Sequence, residues 1–297
     1  MSGTATVEVR ACPVCRAPVG GDAFVVRGLR LTCCRSCGTT HALEHADPAT
    51  VYVDGYHSGV IDSPAFASYV WQVERRRARR VARLGGRRLL DVGCGTGRFL
   101  EAVAGVGLEP TGLEPVAATA AGARERGLDV LTGQLHDAVP GGWDVVTAFH
   151  VLEHLPDVPE ALQLLKQLVR PGGHLVVEVP NWRSMCRHEA GDSWSLLGPG
   201  EHVTFFTRRS LRAALQSAGF EEVRVSSPSW VGEPQALDQA LVDLGLRRGA
   251  AVLRPVSRRD GEVIRPRRSG WAVLRALDAA ESVASVGLTL LATARVP

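Results

Sequence analysis

Residues 89–97 read Leu-Leu-Asp-Val-Gly-Cys-Gly-Thr-Gly, and no other stretch restricts the fold of this chain so tightly. Two apolar residues lead into Asp91, glycines alternate at 93, 95 and 97, and Arg98-Phe99-Leu100-Glu101-Ala102-Val103 follows with helical character. The pattern is a buried strand, a tight turn and a helix N-terminus. Such a turn needs glycine where the backbone takes positive φ or comes close to a ligand. A dinucleotide fingerprint would be G-x-G-x-x-G. Here the third glycine arrives one residue early, and an acid stands two residues before the first.

The rest of the chain alternates strand-like and helix-like runs, the sign of a mostly parallel α/β sheet. A helix is expected over 68–84, ending at Gly85-Gly86. Strands are expected at 88–92, 110–113, 129–131, 143–148, 174–179 and 222–225. Helices are expected from 98 to about 104 and over 116–126, 158–169 and 208–218. Asp157 followed by Glu160 has the form of a capping box for the 158–169 helix.

Two C-x-x-C knuckles, Cys12/Cys15 and Cys34/Cys37, stand ahead of this domain with eighteen residues between them. The spacing is that of a four-thiolate zinc site. Cys33 offers a rival register, but Cys34 places Gly38 just after its knuckle, as such turns favour. Four thiolates leave no open position, so the zinc should be structural, supplying stability that about fifty residues cannot draw from a core. A rubredoxin-like iron site is the minor alternative. His41 and His45 are read as surface residues rather than spare ligands.

Asp/Glu-x-Gly-x-Gly-x-Gly is the pattern of class I S-adenosylmethionine (SAM) methyltransferases, and the chain resembles that family from about residue 70 to its end. The resemblance implies a Rossmann-like, doubly wound seven-stranded sheet closed by a carboxyl-terminal antiparallel hairpin. In front of it, residues 1–50 would form a zinc-ribbon-like module, 51–86 a connecting segment and helix, and 87–297 the methyltransferase domain. The last hairpin strand fits best at 288–294. Residues of about 228–283 then form an insertion, with helices at 234–246 and 271–284 around a basic piece at 254–269. It would lie at the sheet edge, over the substrate or between two subunits of a homodimer.

The same resemblance assigns the cofactor residues. Asp91 would attract the cationic amino-acid tail of SAM, while Gly93, Cys94, Gly95 and Gly97 lie along the nucleoside. Glu114, at the end of the second strand, would take the ribose hydroxyls. Gln134 and Leu135 stand where the fold contacts adenine. Phe149, His150 and the following Val-Leu-Glu-His-Leu run would lie under the sulfonium and face the substrate, with His150 as a pocket wall. Glu201-His202 before Phe205-Phe206-Thr207 is similar to a segment of bacterial small-molecule methyltransferases, including zinc-headed sugar C-methyltransferases. Those sugar enzymes continue into a further carboxyl-terminal domain that these 297 residues do not include.

His202 is the expected proton acceptor, His154 its competitor and Glu201 their catalytic neighbour. The expected function is methyl transfer from SAM to a small-molecule acceptor in bacterial secondary or sugar metabolism, with O-methylation slightly favoured over C- or N-methylation. The alternatives are a zinc-containing RNA methyltransferase and a non-catalytic SAM-fold scaffold. The first is weakened because no Asn/Asp-Pro-Pro-Tyr/Phe motif follows the fourth strand, and the second by the intact Asp91-to-Glu114 constellation. Net charge is only +3, so no nucleic-acid partner is expected. Lys166 is the only lysine, which lowers the weight of arginine clusters, and the densest, residues 74–80, is read as a solvated helix face. With no export signal and no apolar run of about 20 residues, a cytoplasmic protein without membrane contact is expected.

Overall fold

A computed structural model describes residues 6–46, 64–140, 142–198, 201–228 and 287–297. Residues 51–63 of the expected connecting segment, most of the 228–283 insertion and Gly200 lie outside the described residues.

Seven strands form the main sheet: β6 (Arg88–Val92), β7 (Glu109–Glu114), β8 (Val130–Thr132), β9 (Trp143–Phe149), β10 (Val169–Pro180), β12 (Glu221–Ser226) and β13 (Thr289–Arg295). Their order is β12-β13-β10-β9-β6-β7-β8. Pairing is parallel from β10 through β8, and β13 runs antiparallel between β10 and β12. This is the doubly wound sheet with a closing hairpin that the sequence implied. Apolar runs such as Leu89-Leu90 and Val145-Val146 are fully buried because helices cover the sheet. The chain turns from one side of the sheet to the other at β6, whose neighbours are β7 and β9. That is the switch point, and ligands sit beyond the strand carboxyl ends there.

Helix α1 (Pro64–Ala82) packs Val73, Ala78 and Val81 against Leu89, Phe99, Val145 and Val176. The same face carries two charged residues, which corrects the expectation of a solvated arginine helix. Arg75, Arg79 and Arg80 are exposed, but Glu74 and Arg77 are buried. Arg77 Nε donates to Glu178 Oε2 on β10 at 2.9 Å, and its NH1 to Glu74 Oε1 at 3.0 Å. The guanidinium also lies 4.7 Å from the Phe149 ring centre. Burial pushes the Glu178 carboxyl up, but Arg77 beside it outweighs burial and holds it below the usual range.

The amino-terminal strands do not stand apart. β2 (Ala23–Val26), β3 (Leu29–Cys33) and β4 (Thr40–Ala42) form a sheet whose fourth strand is β11 (Thr204–Phe205), from the segment after β10. Thr204 pairs with His41 and Phe205 with Thr40. Trp194 and Phe205 pack with Leu31 and Ala42 as the core of this junction. His41 and His45, expected at the surface, are 1% and 5% exposed. On the other side of the module, the Val158 N–H donates to the Pro13 carbonyl at 2.9 Å, and Arg16 pairs with Asp157 at 2.9 Å. Asp157 caps helix α4 (Val158–Leu168) by accepting from the Glu160 N–H. Among the described residues, no helix is long and apolar enough to cross a membrane.

Removing one partner from a buried ion pair typically costs about 3–5 kcal/mol, because the remaining charge is stranded. Arg77→Met should therefore destabilise the protein by about 3–5 kcal/mol, whereas Arg79→Met should change stability by less than about 0.5 kcal/mol. Chemical denaturation of both variants checks the contrast.

Candidate active site

The turn after β6 is built as its glycines suggested. Gly93 has φ +71°, and a Cβ there would stand 2.7 Å from Val151 Cγ2, so only glycine lets the turn meet the segment after β9. Gly95 has φ +54° and faces open space. Its N–H donates to Glu114 Oε2 at 2.9 Å, while Glu114 Oε1 accepts from the Val116 N–H at 3.0 Å. Glu114 thus ties the turn to the carboxyl end of β7. Burial raises its pKa. Each of its oxygens accepts one backbone bond, and a carboxylate oxygen has capacity for a second.

Asp91 lies deeper than expected for a residue meeting the cofactor tail. It is 3% exposed, and its Oδ1 accepts from Thr147 Oγ1 at 2.6 Å. Burial pushes its pKa up to about 7. Cys94 contributes its backbone to the turn, but its side chain packs away with Leu100, Ala120 and Ala123. Gly97 precedes α2 (Arg98–Ala104) as its cap. The Gln134 side chain is engaged in a capping box with Asp137, and Leu135 packs half-buried against the main core. Phe149 ends β9 and meets Phe99 edge-to-face at 4.9 Å.

Beyond β9 the backbone is strained. His150 has φ +57°, a left-handed conformation that non-glycine residues seldom adopt. Its N–H donates to the Glu178 carbonyl at 2.8 Å. Its ring lies between two buried carboxylates, with Nδ1 3.1 Å from Glu153 Oε1 and Nε2 3.9 Å from Glu178 Oε1. Burial alone would lower the His150 pKa, but the two acids raise it. Strain of this kind persists where surrounding structure imposes it, and it clusters at functional sites.

His154 and His202 meet edge-to-face, with ring centres 4.5 Å apart. His154 Nδ1 donates to the Glu201 carbonyl at 3.2 Å, and His202 Nδ1 donates to the Leu196 carbonyl at 3.0 Å. Burial lowers both pKa values, so both rings are neutral near pH 7. Glu201 meets the cluster through its backbone carbonyl, which accepts from His154 Nδ1. The carboxylate at the cluster is Glu153, fully buried with Oε2 lacking any hydrogen-bond partner. Sequence reasoning missed Glu153, although it stands next to His154. It also missed Glu74, Arg77 and Glu178.

At the amino terminus, Cys12, Cys15, Cys34 and Cys37 bring their sulfurs within 4.8 Å of one another. The Cys12–Cys37 and Cys15–Cys34 sulfur separations are both 3.6 Å. A tetrahedron with Zn–S bonds of 2.3 Å has edges of about 3.8 Å, so the cluster fits zinc. Cys33 is exposed and lies outside it.

The comparisons with known proteins agree with this geometry. A methyltransferase domain model matches residues 69–225. A ubiquinone biosynthesis O-methyltransferase of Cronobacter sakazakii is 40% identical over 113 residues, covering 35% of this chain and 46% of that protein. One of the same description from Pseudomonas aeruginosa is 35% identical over 109 residues, covering 34% and 47%. The chain therefore spans about half the length of the curated relatives it matches. A SAM-dependent methyltransferase structure from Archaeoglobus fulgidus superposes with a TM-score of 0.50 at 19% identity, covering 76% of this chain and 94% of that one, which shows a shared fold. The glycine turn, Glu114 and the strand order thus place the chain in the class I SAM-dependent methyltransferase family.

Proposed function

We propose that this protein transfers a methyl group from SAM to a hydroxyl of a small-molecule acceptor in bacterial secondary or sugar metabolism. One juxtaposition carries the reading. The glycine turn, tied by Glu114, contacts Val151, and Val151 leads directly into Glu153 and His154, which meet His202. Bound SAM supplies an electrophilic methyl on a sulfonium. Glu114 binds the ribose hydroxyls through its remaining acceptor capacity, and the backbone at Gly93 and Gly95 lies along the nucleoside. The Glu153–His154–His202 cluster faces the acceptor and assists loss of its proton. The O–H bond breaks, an O–C bond forms, and the C–S pair stays with sulfur. The O-methyltransferase description of the relatives supports oxygen as the acceptor atom. The four-cysteine cluster holds one structural zinc, which fixes the module carrying Pro13 and Arg16 against α4.

Glu114→Ala should weaken SAM binding by about 1.5–3 kcal/mol, through lost ribose contacts and a slackened turn. Calorimetry showing unchanged affinity would remove Glu114 from the cofactor site.

With an acceptor found by screening hydroxylated phenols and nucleotide sugars for S-adenosylhomocysteine release, His202→Ala should cut turnover roughly 10²–10⁴-fold while SAM affinity stays near wild type. Near-normal turnover in both His202→Ala and His154→Ala would show that placement alone drives transfer.

One equivalent of zinc should survive dialysis against EDTA. Cys34→Ser should lose that zinc and Cys33→Ser should keep it. The reverse pattern in metal analysis would overturn the ligand set.

A further inference from the structure

The segment after β10 carries a cation that the proposed chemistry does not use. Helix α5 (Met185–Ala190) follows the carboxyl end of β10, at the end of the sheet where ligands sit. From this helix the Arg187 guanidinium stacks on Trp182, with Cζ 3.4 Å from the ring centre. We propose that Arg187, held on Trp182, binds an oxyanion carried by the acceptor, a phosphate or a carboxylate, at the end away from the methylated hydroxyl. The inference rests on the function proposed above and gives its acceptor a charge class.

The first argument is the missing counter-ion. Arg187 is half-buried, and among the described residues no carboxylate pairs with its guanidinium and no carbonyl accepts from it. Arg16, Arg77, Arg87, Arg126 and Arg170, by contrast, each pair with an acid. Burial lowers the Arg187 pKa, and no neighbouring acid raises it back. A partly desolvated cation without a partner is costly, and an incoming anion offsets that cost. Stacking also fixes the guanidinium plane while leaving its edge N–H groups available as a fork. Less ordering is then lost when an anion binds.

The second argument is the sign of the unsatisfied groups. Trp194 packs in the same ring cluster, 6.1 Å from Trp182 by ring centres. It is 2% exposed, and its Nε1 has no hydrogen-bond partner among the described residues. Buried side-chain polar atoms are nearly always paired. An indole N–H only donates, and a guanidinium only donates. The group that complements both is one that only accepts. An oxyanion meets that condition, and an amine does not.

The third argument is reach. Trp182 lies 4.9 Å from Phe205, and Phe205 lies 6.3 Å from His202, by ring centres. The guanidinium is therefore no more than about 15 Å from the His202 ring. One acceptor molecule can span that distance, with its charge on Arg187 and its reacting hydroxyl at the histidines. Anchoring at both ends fixes the acceptor in place, and placement is a large part of catalysis for a displacement with a good leaving group.

The test uses full-length protein at fixed ionic strength, titrated with phenyl phosphate, benzoate and the neutral benzyl alcohol while tryptophan fluorescence is followed. At least one of the two anions should bind saturably at millimolar concentration, and benzyl alcohol at least tenfold more weakly. The tighter anion distinguishes phosphate from carboxylate as the natural group. Arg187→Gln should weaken anion binding at least tenfold. Arg187→Lys, which keeps the charge but loses the fork, should weaken it at least threefold. Calorimetric SAM affinity should stay within about twofold of wild type in both variants. No saturable anion binding to wild type, equal binding of benzyl alcohol, or unchanged anion affinity in Arg187→Gln would overturn the proposal. If Arg187→Gln fails to fold, the preference of wild type for anion over alcohol and the loss in Arg187→Lys still decide. Anion binding without SAM binding would remove the proposed function and leave the anion site standing. SAM binding without anion binding would do the opposite.

Discussion

Three carboxylates, Glu74, Glu178 and Glu153, are buried beneath the carboxyl ends of β9 and β10, and the architecture of the site depends on how their charge is balanced. Arg77 binds the first two directly. His150, wedged between Glu178 and Glu153, carries the network on to the third. Burying charge is costly unless it is paired, and removing a partner costs more than the pair contributes. This network therefore holds its members in a defined arrangement rather than simply adding stability. It accounts for the positive φ of His150, whose backbone N–H is tied to Glu178 while its ring reaches Glu153. It also leaves Oε2 of Glu153 buried without a hydrogen-bond partner.

The second constraint is that the amino-terminal module forms part of the wall around this cluster. β11 is the edge strand of the module's sheet, and it begins two residues after His202. The Val203 N–H donates to the Glu153 carbonyl at 2.8 Å, and the Ala42 N–H to the Val203 carbonyl at 2.9 Å. Backbone hydrogen bonds thus run from the module through Val203 to the segment that carries Glu153. The cysteine cluster sits at the other end of the same module, where Cys12, Val14 and Cys34 join the main core against α4. A metal that rigidifies the knuckles would therefore also steady the histidine position.

Much of this was legible in the sequence, for physical reasons. Buried parallel strands read as apolar runs, and a turn that must approach a neighbouring segment needs glycine. That is why β6, its turn and the hairpin strand β13 stand close to where they were expected. Gly38 after the second knuckle favoured Cys34, and Cys33 lies outside the cluster. The misreadings share another cause. Arg77 looked like one solvated arginine among many because local charge does not reveal a carboxylate 101 residues away. The junction core of Trp194 and Phe205 was not legible because nothing in the sequence shows that β11 joins β4. Glu153 was passed over beside His154, since its importance comes from burial and a missing partner.

On the proposed function, the turn after β6 and the carboxyl end of β7 hold SAM against the segment after β9. Amide hydrogen exchange measured with and without saturating SAM tests it without knowledge of the acceptor. Exchange should be at least tenfold slower at residues 93–97 and 114–116, slower at 149–154, and unchanged in β2 and β3 of the amino-terminal sheet. Unchanged exchange at the glycine turn, or protection confined to another part of the chain, would contradict it.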